Sequence, residues 1–439
     1  MVTSMDLTID DIARLAAMGV PYYSFSLSWS RILPFGRGPI NEAGLAHYED
    51  VINTCLEYGV KPAVTLYVSF DANITATLMP PSFHWDLPLY LYNLYGGWTN
   101  EQIVDDFVNY ARIVFERFGN KVPMWFTVNE PISFCTLQMP DNYFHRVPIP
   151  QKQQPYYCGQ HVLLAHSKVY HLAKSMNITG PITFKNNGYY KTPRSNSTED
   201  AEATQRAWDF NEGWFANPVF VDGEYPRYLK EYVSTFLRDL TEDEKAAIRG
   251  SADYFAHDAY AAKYYMAPDT GTAACVANYS HPLFPTCANS TFTLRDVDGG
   301  WLIGPAADPY TSWLHKATDW IPQFLHHIAH TWPHPGGIAI SEFGFTEPFE
   351  HDKKLLGDIR TDLARTRYYR EYVEAVLLAM SQGVKVVGLL AWTVADNLEW
   401  TAGFGVKFGL QYVNLTTQER AFKASFFELR DVIEGYMEE

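Results

Sequence analysis

The sequence has no run of roughly 20 apolar residues, the length a helix needs to cross a bilayer. Its richest stretch, Val373 to Trp392, is broken by Glu374, Gln382 and Lys385, so no membrane partner is expected. The N-terminal MVTSMDLTIDD lacks the basic start and apolar core of a secretory signal. Positive charge is scarce: 34 Lys and Arg stand against 50 Asp and Glu, a formal net charge of −16. A chain this acidic has no electrostatic reason to seek nucleic acid or anionic lipid. Neither GxGxxG nor a Walker sequence is present, which removes the usual phosphate cradles. His326, His327 and His330 fall on a predicted helix where only His326 and His330 share a face, without a carboxylate at ligand spacing. They read as a solvated face, and neither metal nor cofactor is expected. Cysteine is sparse, at five residues. Cys275 and Cys287 flank a segment rich in Pro, Asn and Ser, where a disulfide is plausible. Six N-x-S/T sequons, at Asn73, Asn177, Asn196, Asn278, Asn289 and Asn414, favour with it a secreted, extracellular protein. A cytoplasmic protein is the alternative.

Aromatic residues are abundant, at 15%. They suit either a large ring-filled core or a cleft lined with rings, and composition alone leaves both open. The hydrophobic pattern alternates between two periods. Helices are expected at Thr8 to Met18, Asn41 to Tyr58, Glu101 to Phe118, His161 to Ser175, from Ala201 to Phe210, Trp313 to His330 and Thr361 to Gln382. Strands are expected at Tyr22 to Ser28, Lys61 to Tyr67, Val122 to Val128, Ile182 to Lys185, Ala252 to Phe255, Gly337 to Ser341 and Val384 to Thr393. Such alternation implies a parallel sheet with right-handed crossovers. No linker or composition shift divides the chain, so residues 1–439 read as one (β/α)8 TIM barrel. Only seven strands are found, and the chain opens on a helix that leads into what should be the second. The expectation is a barrel lacking its first strand, with neighbouring edges at Tyr22 and Val386, or one closed by another segment.

In such a barrel the reacting groups sit at the C-terminal ends of strands. Glu130, in WFTVNEP, and Glu342, in AISEFGF, both follow an apolar strand. Burial there raises a carboxyl pKa, and two facing carboxyl groups are the minimum set for cleaving a glycosidic bond. A single strand-end Glu would more often cap a helix or pair with an Arg. Two at matched positions point to chemistry.

VNEP ending at Pro131, YYSFSLSWSRI from Tyr22 and WTVADNLEWTAGFGVKFGLQYV from Trp392 resemble retaining β-glycosidases of glycoside hydrolase family 1, in particular fungal β-glucosidases. The resemblance runs over nearly the whole chain. It implies Glu130 as acid/base and Glu342 as nucleophile. It implies Asn129 on the sugar 2-hydroxyl, His84 and Trp85 of HWDLP on another hydroxyl, and Tyr260 bonded to the nucleophile. Trp392, Glu399 and Trp400 would stack on the sugar and grip its outer hydroxyls, with Phe408 near the 6-hydroxyl. Glu399 speaks against the 6-phosphate-sugar branch, and Glu130 against the thioglucosidase branch. The chain also departs from the family pattern. Ser24 stands where an Arg helps keep the nucleophile ionised, SEFGF replaces TENG, and Asp258 replaces Asn. Residues 68–83 form an insertion before His84, read either as retained intron or as a genuine loop. The expectation is a retaining β-glycosidase acting on a small β-glucoside or short oligosaccharide. The rival is a catalytically dead barrel that binds sugar or protein. The sequence leaves the oligomeric state open.

Overall fold

The computed structural model describes residues 9–68, 87–136, 149–292, 303–304 and 306–437. Seven strands form a parallel ladder: β1 (Tyr22–Ser26), β2 (Lys61–Tyr67), β3 (Met124–Asn129), β4 (Ile182–Pro193), β5 (Phe255–Met266), then, after a short antiparallel strand β6 (Asn289–Thr291) on the outer part of β5, β7 (Ile338–Phe343) and β8 (Val386–Ala391). The order is β1-β2-β3-β4-β5-β7-β8. Helices cover the outer face, as a parallel sheet requires. The helix Gln102–Phe118 buries Ile103, Phe107, Tyr110, Val114 and Phe118 at helical spacing. The helix Glu42–Glu57 ends at Gly59, whose left-handed backbone (φ 75°) allows Val60 N–H to reach the Cys55 carbonyl at 2.8 Å.

The family-type barrel expected from the sequence is present, and β2 has the expected bounds. β5 differs. The sequence suggests Ala252 to Phe255, whereas the strand begins at Phe255 and runs to Met266. FAHDAYAAKYYM carries Asp258 and Tyr260 toward Glu342 and, on its other face, His257 toward Glu212, so its apolar period is broken where the strand is longest. β4 also continues eight residues past Lys185, pairing with β5 out to Pro193 and Tyr265. The helix expected from Trp313 occupies Ile321–Thr331. The ends of the ladder are the two strands expected to be edges. β2, β3 and β7 are almost wholly buried, while β8 is half-exposed along its length. Among the described residues, no strand pairs β1 with β8. Of the 68–83 segment only Val68 is described, and His84 and Trp85 also lie outside the described residues.

Most large rings are core rather than cleft: Trp29, Trp98, Trp125, Trp214, Trp320 and Trp332 are fully buried. The barrel interior narrows to a layer of Ala63, Phe126, Tyr254, Ala256 and Ala339. Above it, the ladder shifts register beside Asn129, Asp258 and Glu342. Such irregularities re-aim side chains and favour active-site rims. Cys275 and Cys287 form the expected disulfide, and a second one joins Cys135 to Cys158.

A buried chain of charges fixes the segment after β8. Arg365 donates to Glu350 Oε2 at 2.6 Å, to Asp362 Oδ2 at 2.8 Å and to the carbonyls of Phe345, Lys407 and Gly409. Lys423 donates to Glu350 Oε1 at 2.6 Å and Asp396 Oδ1 at 2.8 Å. Removing one member of a buried ion pair costs about 3–5 kcal/mol, because its partner stays desolvated and unpaired. Arg365→Met should therefore lower the unfolding free energy in a urea titration by about that amount. A loss below about 1 kcal/mol, the scale of an exposed pair, would show the guanidinium to be dispensable.

Candidate active site

β3 ends at Asn129, and the chain turns at once into the helix Pro131–Thr136. The turn places Glu130 in the left-handed region at φ 49°, a conformation costing of order 1–3 kcal/mol for a non-glycine residue. Its backbone is held on both sides. Glu130 N–H donates to the Lys185 carbonyl at 3.0 Å, and its own carbonyl accepts from Ser133 N–H at 3.0 Å. Glu342 lies within β7, with Asp258 of β5 as its register partner. One carboxylate oxygen each from Glu130, Asp258 and Glu342 falls within 4.8 Å of the others. The two glutamates singled out from the sequence therefore face one another.

Their surroundings differ sharply. Glu342 Oε1 accepts from Lys185 Nζ at 2.9 Å, and Oε2 accepts from the Tyr260 hydroxyl at 3.0 Å. Glu130 is pushed up to about 7, chiefly by burial and next by the charge of Glu342, against the pull of Lys185 and a hydrogen bond from Ser133. The Asp258 carboxyl is raised well above its ordinary range, first by burial and then by Glu342. It accepts from Ser341 Oγ at 2.6 Å and also hydrogen-bonds Glu130. Two carboxyl groups in hydrogen-bond contact need a proton between them. Burial alone would lower the Lys185 ammonium, but Glu342, Asp258 and Glu130 together raise it. The three carboxyls have the spacing to hold a cation, and this ammonium already supplies one.

The remaining candidates among the described residues are placed as follows. Asn129 is buried, opposite Lys185 in the ladder. Trp392 ends β8, held by its N–H on the Phe343 carbonyl and by the Tyr369 hydroxyl on its own carbonyl. Glu399 is buried and pushed up to about 8, first by burial and then by Glu342, and it hydrogen-bonds the Trp392 side chain. Trp400 is half-buried in the turn that follows, at φ 36°. Phe408 is fully buried and sits edge-on to Tyr260, so it forms the wall behind the nucleophile's partner. Ser24 lies half-buried within β1. Sequence reasoning missed Lys185, Ser133 and Trp313, the last packed on both Tyr260 and Phe408. A signal for Lys185 existed: it ends the expected strand Ile182 to Lys185, the position that drew attention to the two glutamates. Among the three histidines considered as ligands, His327 stacks on Trp208 at 4.1 Å and His326 bonds Gln382.

The profile of the family described as Glycosyl hydrolase family 1 matches residues 4–436. Beta-glucosidase 1B of Phanerodontia chrysosporium is 34% identical over 432 residues, covering 95% of this chain and 73% of that protein. A beta-glucosidase from the fungus Humicola insolens, solved in complex with glucose, superposes with a TM-score of 0.85 at 29% identity, covering 98% of this chain and 88% of the other. A rice beta-glucosidase mutant in a covalent complex with Glc superposes with a TM-score of 0.83 at 28% identity, covering 97% and 86%. The chain is thus a glycoside hydrolase by descent as well as by fold, and it belongs to glycosyl hydrolase family 1.

Proposed function

We infer that the chain hydrolyses β-D-glucosides with retention of configuration, through a glycosyl-enzyme ester on Glu342. The carrying observation is the approach of the Glu130 and Glu342 carboxyls to within 4.8 Å. Retaining enzymes hold the pair about 5–5.5 Å apart, whereas inverting ones leave about 6.5–9.5 Å for a water. The names of the relatives support the substrate class, and the covalent glucose complex of the rice protein supports the intermediate. A dead scaffold finds no support in a site with both carboxyls facing each other.

The unequal environments support the following roles. Glu342, bonded by a lysine and a tyrosine, attacks the anomeric carbon. Glu130, buried and pushed up to about 7, holds a proton near neutrality and gives it to the leaving oxygen. The ester is then opened by water, with Glu130 now taking the proton. Glu399 and Asn129 suit the grip on sugar hydroxyls. Among the described residues, Glu399 Oε2 and Asn129 Oδ1 are buried without a hydrogen-bond partner. With its carboxyl raised to about 8, Glu399 at neutral pH is mostly protonated and can donate to one hydroxyl while accepting from the next. Trp392 offers an indole to the C–H face of the ring.

Four outcomes test this reading. With an aryl β-glucoside, the first product seen by NMR should be the β-anomer; an α-anomer would mean inversion. Glu342→Gly should abolish turnover, and azide should restore it as an α-glycosyl azide. Glu130→Ala should spare the first step with an activated aryl glycoside and slow the second, and the reverse pattern would exchange the two roles. kcat/KM should also fall as pH rises through about 7, because the acid must be protonated in the free enzyme. A profile still rising at pH 9 would exclude Glu130 as that acid.

A further inference from the structure

The site carries a charge problem that the sequence left open. Three carboxyl groups share a space 4.8 Å across, and Ser24 of β1 stands where the resemblance to the family implies an Arg. The compensating charge enters instead from β4. Lys185 lies opposite Asn129 of β3 and Ala256 of β5, and its side chain is 5% exposed. Its ammonium rests 5.1 Å from the centre of the Phe126 ring and 2.9 Å from Glu342 Oε1. The charged groups acting on it are Glu342 from β7, Asp258 from β5 and Glu130 directly after β3; Tyr260 and Glu399 act on the same carboxyls.

We propose that Lys185 is the positioning residue that balances charge in both halves of the reaction, pairing first with Glu342 and then with Glu130, in place of the cation absent from position 24. The inference rests on the retaining mechanism proposed above. In the free site the ammonium offsets the Glu342 carboxylate, while Glu130 and Asp258 are neutral. As Glu342 bonds to the anomeric carbon, the electrons of the breaking C–O bond go to the leaving oxygen, which takes the Glu130 proton. Glu342 becomes a neutral ester, Glu130 becomes the anion, and the negative charge has crossed the site by less than 5 Å. An ammonium between them remains compensated throughout. When water opens the ester, its proton returns to Glu130 and the charge returns to Glu342. A lysine suits this task better than an arginine fork, because its point charge can turn between partners.

The test combines a mechanism-based 2-fluoroglucoside label with a pH profile. Labelling of Glu342 in the wild-type chain, read by mass spectrometry, establishes the ester. Its absence, with the inhibitor bound, would remove both the mechanism and this proposal. With the label in place, Lys185→Met should lower kcat/KM by roughly 100- to 1,000-fold, the loss seen when one preorganised electrostatic group is removed. It should also move the acid limb of the profile upward by about 1–3 units, as expected when an opposite charge within 4–6 Å is lost. Both glycosylation and deglycosylation rates should fall in single-turnover measurements. Lys185→Arg keeps the charge and should hold the acid limb at its wild-type position. Adding Ser24→Arg to Lys185→Met should recover at least a tenfold part of the loss, and this variant also serves if Lys185→Met alone does not fold. Labelled Glu342 with an acid limb unmoved in Lys185→Met would overturn the proposal while leaving the mechanism intact. An Arg variant as impaired as the Met variant, or a double variant that folds without recovery, would overturn it equally.

Discussion

One buried and two half-buried carboxyl groups share one ammonium, and the rest of the site follows from that crowding. Glu342 receives the lysine and the tyrosine, and its charge faces the other two. Glu130 and Asp258 are then raised by burial and by that charge, and they share a hydrogen bond that itself needs a proton. The two glutamates differ because Lys185 hydrogen-bonds one of them and acts on the other only through its charge. The register shifts beside Asn129, Asp258 and Glu342 are how straight strands meet at such close range.

A second set of charges works from the outside. Asp396 and Glu399 lie three residues apart in the segment after β8, and they have opposite duties. Asp396 points back into the protein, to Lys423, and through Glu350 to Arg365. Glu399 is left facing the catalytic pair. Arg365 also holds the carbonyls of Lys407 and Gly409, which flank Phe408 and so fix the wall behind Tyr260. The segment carrying Trp392, Glu399 and Phe408 is thus clamped by buried charged groups at Asp396 and at the carbonyls of Lys407 and Gly409, which limits the freedom of a region with little regular secondary structure.

The architecture was legible because parallel strands under helices are short, apolar and regularly spaced. Lys61 to Tyr67 illustrates this, its predicted and observed bounds being the same. β5 was misplaced for the opposite reason: a strand that carries Asp258 and Tyr260 into a polar mouth, and His257 toward Glu212 on its other face, loses the pattern that marks strands. Glu130 and Glu342 were legible as strand-end acids within long motifs. Lys185 was not, since a lysine after ITF reads as a solvated strand end until the barrel curves it inward. The Arg365 chain joins residues up to 73 positions apart, and the Cys135–Cys158 bridge joins two helices without any local composition that marks it. Neither leaves a trace in sequence spacing.

The cysteine arrangement has a consequence for handling the molecule. Four of the five thiols are consumed by the two bridges, leaving Cys55. That side chain is fully buried at the end of the helix Glu42–Glu57, packed with Ile12, Leu15, Tyr23 and Val60, and burial pushes its thiol up to about 12. A thiol-reactive dye therefore meets a silent protein while the chain is oxidised and folded. It can gain signal only when the layer between the first helix and β1 opens, which makes Cys55 a built-in gauge of breathing at the open end of the ladder.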